Sequence, residues 1–374
     1  MMSGPIVMPI RLEQRAEHSP VMVYGSPLIA VILTLFSGMI VFHILGVDPI
    51  DAIYTFFISP VTNLEGWSEL FVKATPLVLI AVGLSFGFRA NVWNIGAEGQ
   101  LVIGALAGGG LALAFFEVDT PFLMPAMMFA GILGGAIWAA IPAFLKTHFN
   151  TNEILTSLML VYIGLLVLSY LIYGPWKAPD SYNFPESRLF HDAALVPLIT
   201  EDTRLHIGCL IALAFALASW LIFSRHIIGF QVKVIGQAPL AARYAGFSEK
   251  KIIWFTLMIS GGASGLAGIL EVAGPIGQIV PVISPGYGFT AIIVAFLGRL
   301  HPVGVIFSGT LMALTYLGGD AAQIEMNLPN AVTGVFQGML LFYLLAADVF
   351  VKFRIRIGST KLRKSSAAES EVAR

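Results

Sequence analysis

The sequence predicts an all-α, polytopic transmembrane helical bundle of about ten spans, and three observations carry that prediction. The first is composition: of 374 residues, 57% are hydrophobic and only 11% are charged, whereas a water-facing domain carries about 25% charged residues. The second is a series of apolar runs, most of them close to the roughly 20 residues needed to cross a bilayer. The third is a segregation of basic residues along the chain that fits one threading and opposes the reverse.

The ten runs follow in order. Residues 1–27 mix Arg11, Glu13, Arg15, Glu17 and Pro20. They lack the short apolar core and small-residue cleavage site of a signal peptide, so no cleavage is expected, and the charge count below makes 1–27 a cytoplasmic segment. The first run, 28–47, is then an uncleaved helix. Run 70–88 contains Pro76, 99–116 is short and glycine-rich, and 122–145 contains Pro125 and Pro142. Runs 154–173 and 205–223 follow, the latter holding the single cysteine, Cys209, which can form no internal disulfide. Run 252–273 precedes the weakest segment, 283–298, which opens on Ser284-Pro285-Gly286. Runs 303–318 and 330–351 complete a membrane domain over 28–351, followed by a basic cytoplasmic tail, 352–374. Prolines inside spans free carbonyls that need other partners, so kinked or broken helices are expected.

With the N-terminus inside, seventeen of the 21 basic residues fall in cytoplasmic stretches. Lys73, Lys177, Arg188 and Arg204 are the four outside. Lys and Arg concentrate on the cytoplasmic side, so both termini are expected there. Residues 70–173 and 252–351 each hold four spans and begin on opposite faces, which predicts two inverted four-helix halves with a substrate path at their interface. Gly104/Gly108, Gly131/Gly135, Gly261/Gly265 and Gly334/Gly338 have the spacing of close helix contacts, read as packing within one bundle or as a dimer face.

Net charge is −1, which gives no reason to expect nucleic-acid binding. Seven histidines are scattered without ligand spacing, so no metal site is expected. No nucleophile–base arrangement is present, and no catalytic residue is assigned.

The most informative stretch is Asn91-Val-Trp-Asn-Ile-Gly-Ala-Glu-Gly-Gln100. It sets Trp93, Asn94, Glu98 and Gln100 between apolar runs. Two readings stand: polar backbone at membrane depth, held in protein or facing a water-filled cavity, or a cytoplasmic turn with Glu98 near a helix N-terminus.

Asn94-Ile-Gly-Ala-Glu-Gly-Gln100 resembles the signature of permeases from bacterial ABC importers for nucleosides and simple sugars. Three further stretches are similar to that family in order and spacing: Thr151-Asn-Glu-Ile-Leu-Thr-Ser-Leu-Met-Leu160, Gly236-Gln-Ala-Pro-Leu-Ala-Ala-Arg-Tyr-Ala-Gly246 and Gly298-Arg-Leu-His-Pro-Val-Gly304. The first stretch looks most like the larger permease of nucleoside systems. The resemblance implies residence in the bacterial inner membrane and a second homologous permease, with a heterodimer expected. It also implies a cytoplasmic subunit that uses ATP and an extracytoplasmic substrate-binding lipoprotein. In keeping with a separate ATPase, the chain has no G-x-x-x-x-G-K-[ST] phosphate loop and no cofactor site of its own.

Within that frame the stretch 224–251 is the expected ATPase contact. Pro239 is placed to open a short helix over Leu240–Tyr244 that ends at Gly246. Gly236, Ala241, Ala242, Arg243, Tyr244 and Gly246 are the coupling candidates, against the alternative of a solvated loop lying on anionic lipid. Asn152 and Glu153 either cap the fifth span or line the inner pathway. Glu271 and Gln278 either meet substrate hydroxyls near the outer face or sit at headgroup level. The outer loop 174–204, with Trp176, Tyr182, Phe184 and Phe190, is read as an interfacial anchor or a docking site for the binding protein. The rival function is an ion-coupled secondary transporter for a small polar solute, which needs carboxylates within its spans.

Overall fold

The computed structural model describes residues 10–14, 20–179, 181 and 183–357. The predicted basic tail beyond 357, most of the N-terminal segment and Tyr182 lie outside these. Thirteen helices carry the described chain: α1 (Pro20–Ile44), α2 (Pro49–Phe57), α3 (Leu64–Arg89), α4 (Ala97–Ala114), α5 (Leu123–Phe149), α6 (Glu153–Tyr173), α7 (Gly208–Arg225), α8 (Ile227–Gln237), α9 (Pro239–Tyr244), α10 (Glu249–Glu271), α11 (Tyr287–Leu297), α12 (Pro302–Met326) and α13 (Ala331–Lys352). Eight of them (α1, α3, α4, α5, α6, α7, α10 and α12) are long and apolar enough to cross a membrane. All ten predicted runs fall on helices, and the protein is a polytopic helical membrane protein.

The described chain divides into two compact units, residues 39–337 and the flanking stretches up to 38 and from 338 onward. In the flanking unit, β1 (Ile10–Gln14) pairs antiparallel with β2 (Phe353–Ile357), Ile10 opposite Ile357. This short ladder is a local addition to an otherwise helical chain. Ser37 Oγ and Tyr343 OH lie 2.6 Å apart in the same unit. Leu28, Ile32 and Phe36, spaced four apart on α1, are exposed, as expected of side chains that meet lipid.

In the 39–337 unit the helices of the two predicted halves interlock. Helix α3 packs against α10, α11 and α12, while α10 packs against α3, α4 and α5. Each half thus sends its first helix into the other half. Small residues make this possible, because little hydrophobic drive exists between helices in lipid and backbones must approach closely. A Cβ on Gly104 would lie 2.2 Å from Gly265 Cα, and one on Gly265 would lie 2.1 Å from the Gly131 carbonyl oxygen. Three of the four glycine pairs therefore serve packing within the bundle. A Cβ on Gly334 or Gly338 would meet nothing within 4 Å, so their spacing marks no contact among the described residues.

The weakest predicted span, 283–298, is helical only from Tyr287. Pro285 lacks an N–H, Gly286 is left-handed at φ +100°, and Ser284 Oγ accepts from the N–H groups of Gly286 and Tyr287 at 3.1 and 2.9 Å. Eleven helical residues rise about 16 Å, roughly half the hydrocarbon thickness. Its counterpart, α4, is likewise preceded by a non-helical stretch, 91–96. Both interruptions stand at the second helix of a half.

Candidate functional site

The inner interruption begins where α3 ends. Asn91 is left-handed at φ 58°, and the chain stays non-helical to Gly96. The backbone groups freed there find side chains, as buried polar groups require. Trp93 N–H points to Glu153 Oε1 at 3.4 Å, and Ile95 N–H donates to Ser157 Oγ at 3.2 Å. Asn94 is fully buried. Its Nδ2 donates to Gln100 Oε1 at 2.8 Å and to Ser260 Oγ at 3.0 Å, and its Oδ1 accepts from Gly96 N–H and Gln100 Nε2 at 3.0 Å each.

Asn94 and Gln100 form a closed amide pair that ties α4 to α10 and holds the interruption together. Trp93 is half-buried and stacks on Phe296, with ring centroids 5.7 Å apart. Asn152 does what its capping reading predicts, accepting from Ile154 N–H at 2.9 Å. Glu153 does not complete a capping box; its carboxylate is buried and pairs with Lys146 at 2.5 Å.

Glu98 links the two interruptions. It lies in the first turn of α4, is buried, and accepts from Gly288 N–H at the start of α11 at 2.7 Å. The first N–H groups of a helix lack internal partners and favour negative charge, so the carboxylate caps the opposing half-helix. A Cβ on Gly288 would fall 2.2 Å from Glu98 N, so the two helix starts abut. The polar stretch is thus buried in protein, with Glu98 in the first turn of α4.

At the outer interruption α10 passes into a π-turn, Val272–Ile276, and then Gly277 at φ +77°. The outer loop closes over it mainly through backbone: Val196 N–H to Ala273 O at 2.9 Å, Phe190 N–H to Gly277 O at 2.8 Å and Ser187 N–H to Ile279 O at 3.0 Å. Arg204 donates to Pro275 O at 3.0 Å and pairs with Glu69 at 3.4 Å. Gln278 donates to Glu186 at 3.1 Å, whereas Glu271 lies beside the Tyr287 side chain. The two predicted partners therefore do not converge. Of the loop aromatics, Phe190 is buried, Trp176 is half-buried and Phe184 is exposed. His206 is buried in this loop, and burial, with Arg204 beside it, pushes its imidazole from 6.5 down to about 4.

On the other side, α8 and α9 form a helical hairpin between α7 and α10. The short helix predicted at Leu240–Tyr244 is present with Pro239 in its first turn, and Gly246 follows at φ +77°. Val232, Ile235 and Ala242 are buried against Ala90, Val92, Ala143, Ile252, Ile253 and Leu257. Two coupling candidates lie within this packing. Ala242 faces inward, and Gly236 lies on the Arg89 backbone, where a Cβ would come within 2.0 Å of the carbonyl oxygen. Both anchor the hairpin. Leu240 (70% exposed), Ala241, Arg243, Tyr244 (94%) and Gly246 face outward. Arg243 pairs with Glu249 at 2.8 Å.

Sequence reasoning missed Ser157, Ser260 and Lys146, which complete the inner interruption. Serines inside spans often bond their own helix, as Ser264 does to the Ser260 carbonyl, so position alone does not distinguish them.

Comparison with known proteins agrees with this architecture. The profile of the family described as "Branched-chain amino acid transport system / permease component" matches residues 66–345. The chain is 34% identical to the glucose ABC transporter permease protein TsgB13 of Haloferax volcanii, covering 96% of this chain and 97% of that one. It is 29% identical to the guanosine ABC transporter permease protein NupP of Bacillus subtilis, covering 91% and 97%. With NupQ, a second guanosine permease protein of that organism, identity is 27% over 69% of this chain and 84% of the relative. A profile match over most of the length, together with a relative above 30% identity end to end, places this protein in the family of membrane permease components to which that profile belongs.

Proposed function

We propose that this chain is one of two permeases of an ATP-driven importer whose cargo is a nucleoside or a related simple sugar. The observation that carries the proposal is the α8–α9 hairpin. It presents Leu240 and Tyr244, large and exposed, beside basic Arg243, on a base rooted at the end of α3. An exposed apolar tip of this kind fits a cleft on a soluble partner. The chain itself carries no phosphate-cradling loop, so the ATPase is a separate subunit. Similarity to NupP and NupQ, two guanosine permease proteins of one organism, supports a paired permease, and the glucose and guanosine relatives support the cargo class. An extracytoplasmic binding protein delivers cargo over the outer loop. Closure of the ATPases pushes α9, and the paired permeases open inward. Glu98 and Glu153 are held by Gly288 and Lys146, which disfavours ion coupling through them.

The test is reconstitution in proteoliposomes with the partner subunits. Leu240→Ala with Tyr244→Ala is expected to lower ATP-dependent uptake at least tenfold while the complex still inserts. Uptake that persists without ATP and without an ATPase subunit overturns the reading.

A further inference from the structure

A polar cavity of about 290 Å³ opens between α3, α12 and the start of α13. Six of its lining residues carry chemistry: Lys73, Tyr316, Asp320, Asn330, Thr333 and Gln337. None of them belongs to the interruptions or the hairpin. Its position beside the 327–330 connection and the first half of α3 puts it on the outer side of the predicted threading.

The charges in the cavity cancel. Lys73 Nζ lies 3.1 Å from Asp320 Oδ2, and the Asp320 side chain is still half exposed. A cationic ligand would compete with Lys73 and an anionic one would meet Asp320, so a neutral ligand is favoured. The hydrogen-bonding groups are unequally used. Thr290 Oγ1 lies 2.8 Å from Tyr316 OH and donates to Gln337 Oε1 at 3.3 Å. Gln337 Nε2 is secluded from solvent and makes no well-formed hydrogen bond among the described residues, with only the Tyr316 side chain beside it. Secluded donors are costly to leave unpaired, and this one sits on the cavity wall. A ligand acceptor would satisfy it. An amide donor, a second amide on Asn330 and a carboxylate acceptor together match adjacent hydroxyls, each of which both donates and accepts. The volume is at the lower end for small-molecule sites, about 300 Å³, which suits one sugar ring.

We infer that this cavity is a subsite for a single neutral polyhydroxylated ring, the sugar moiety of the cargo on its way from the outer face. The inference rests on the nucleoside or sugar cargo proposed above. Binding there is weak, since a transport path must release what it takes.

Two measurements test it separately from the importer reading. The full chain in lipid nanodiscs is probed with ribose by saturation-transfer NMR, which registers millimolar contacts. Ring-proton transfer is expected in the wild type and should fall at least fivefold in Gln337→Leu and in Asn330→Ala, the latter an exposed position where folding is not at stake. No transfer in the wild type, or equal transfer in both variants, overturns the subsite. Variant-sensitive transfer to arginine in place of ribose overturns its assignment to a neutral ligand. In the assembled transporter, both variants should raise the KM for inosine uptake at least fivefold and leave ATP hydrolysis stimulated by loaded binding protein unchanged. A failure of ATP dependence with the ribose contact intact would remove the importer reading alone.

Discussion

The two interruptions each precede the second helix of a predicted half, yet they are held in different ways. The inner one is fastened by side chains: Asn94, Gln100, Ser260, Ser157 and Glu153 absorb its backbone and one another's polar atoms. The outer one is fastened largely by backbone pairing with an overlying loop, at Val196, Phe190 and Ser187. A side-chain lock fails as a unit when one member is removed, because the others become buried and unpaired. A backbone zipper loses one contact at a time. The inner interruption is therefore a fixed joint and the outer one a cover that loosens in steps.

The largest expected effect comes from the point the two share. Gly288→Val forces a side chain into the Glu98 backbone and should cost more than about 3 kcal/mol, as severe overpacking does. Loss of a monodisperse peak in detergent chromatography is the readout, and a well-folded variant would separate the two helix starts. Next comes pH, which should act on the outer cover. His206 stays neutral when folded but protonates near 6.5 when released. Stability is thus complete above 6.5, falls as pH drops toward about 4, and levels off below. The total is about 3 kcal/mol. Thermal melts between pH 7 and 4 should show the loss in the wild type and not in His206→Gln.

Removing one member of the inner lock should cost about 2 kcal/mol in Asn94→Leu, since Gln100 and Ser260 are left unpaired. The double variant Asn94→Leu/Gln100→Leu should recover part of it, and strict additivity in a double-mutant cycle would mean the pair is not a unit. The smallest effect belongs to Ser187→Ala, which removes the hydroxyl that accepts from Ile279 N–H. It should lower stability by about 1 kcal/mol, while raising proteolytic nicking in residues 183–190. A drop as large as that of Asn94→Leu would erase the contrast.

Much of the fold was readable because a bilayer imposes a length and an apolar character on every crossing segment. Pro239 and Gly246 bracketed α9 through local backbone chemistry alone. Ser284-Pro285-Gly286 flagged the shortened α11 for the same reason. Helix α8 escaped notice because its apolar residues pack on Ala90 and Val92, partners distant in sequence. Site residues were harder. Asn94 and Gln100 read in sequence only as polar residues beside apolar runs, and the bond to Ser260, more than 150 positions away, is invisible there. Likewise Glu271 and Gln278 are seven positions apart, and the π-turn between them sends them to different partners.

Gly236 has a mechanical corollary. With hydrogen in place of a side chain, helix α8 rests directly on the peptide of Arg89, the last residue of α3. A long side chain at that contact would bend under load and dissipate displacement, whereas two touching main chains are stiff. Any shove delivered at the Tyr244 tip is therefore passed along with little slack to the joint that Asn94 secures.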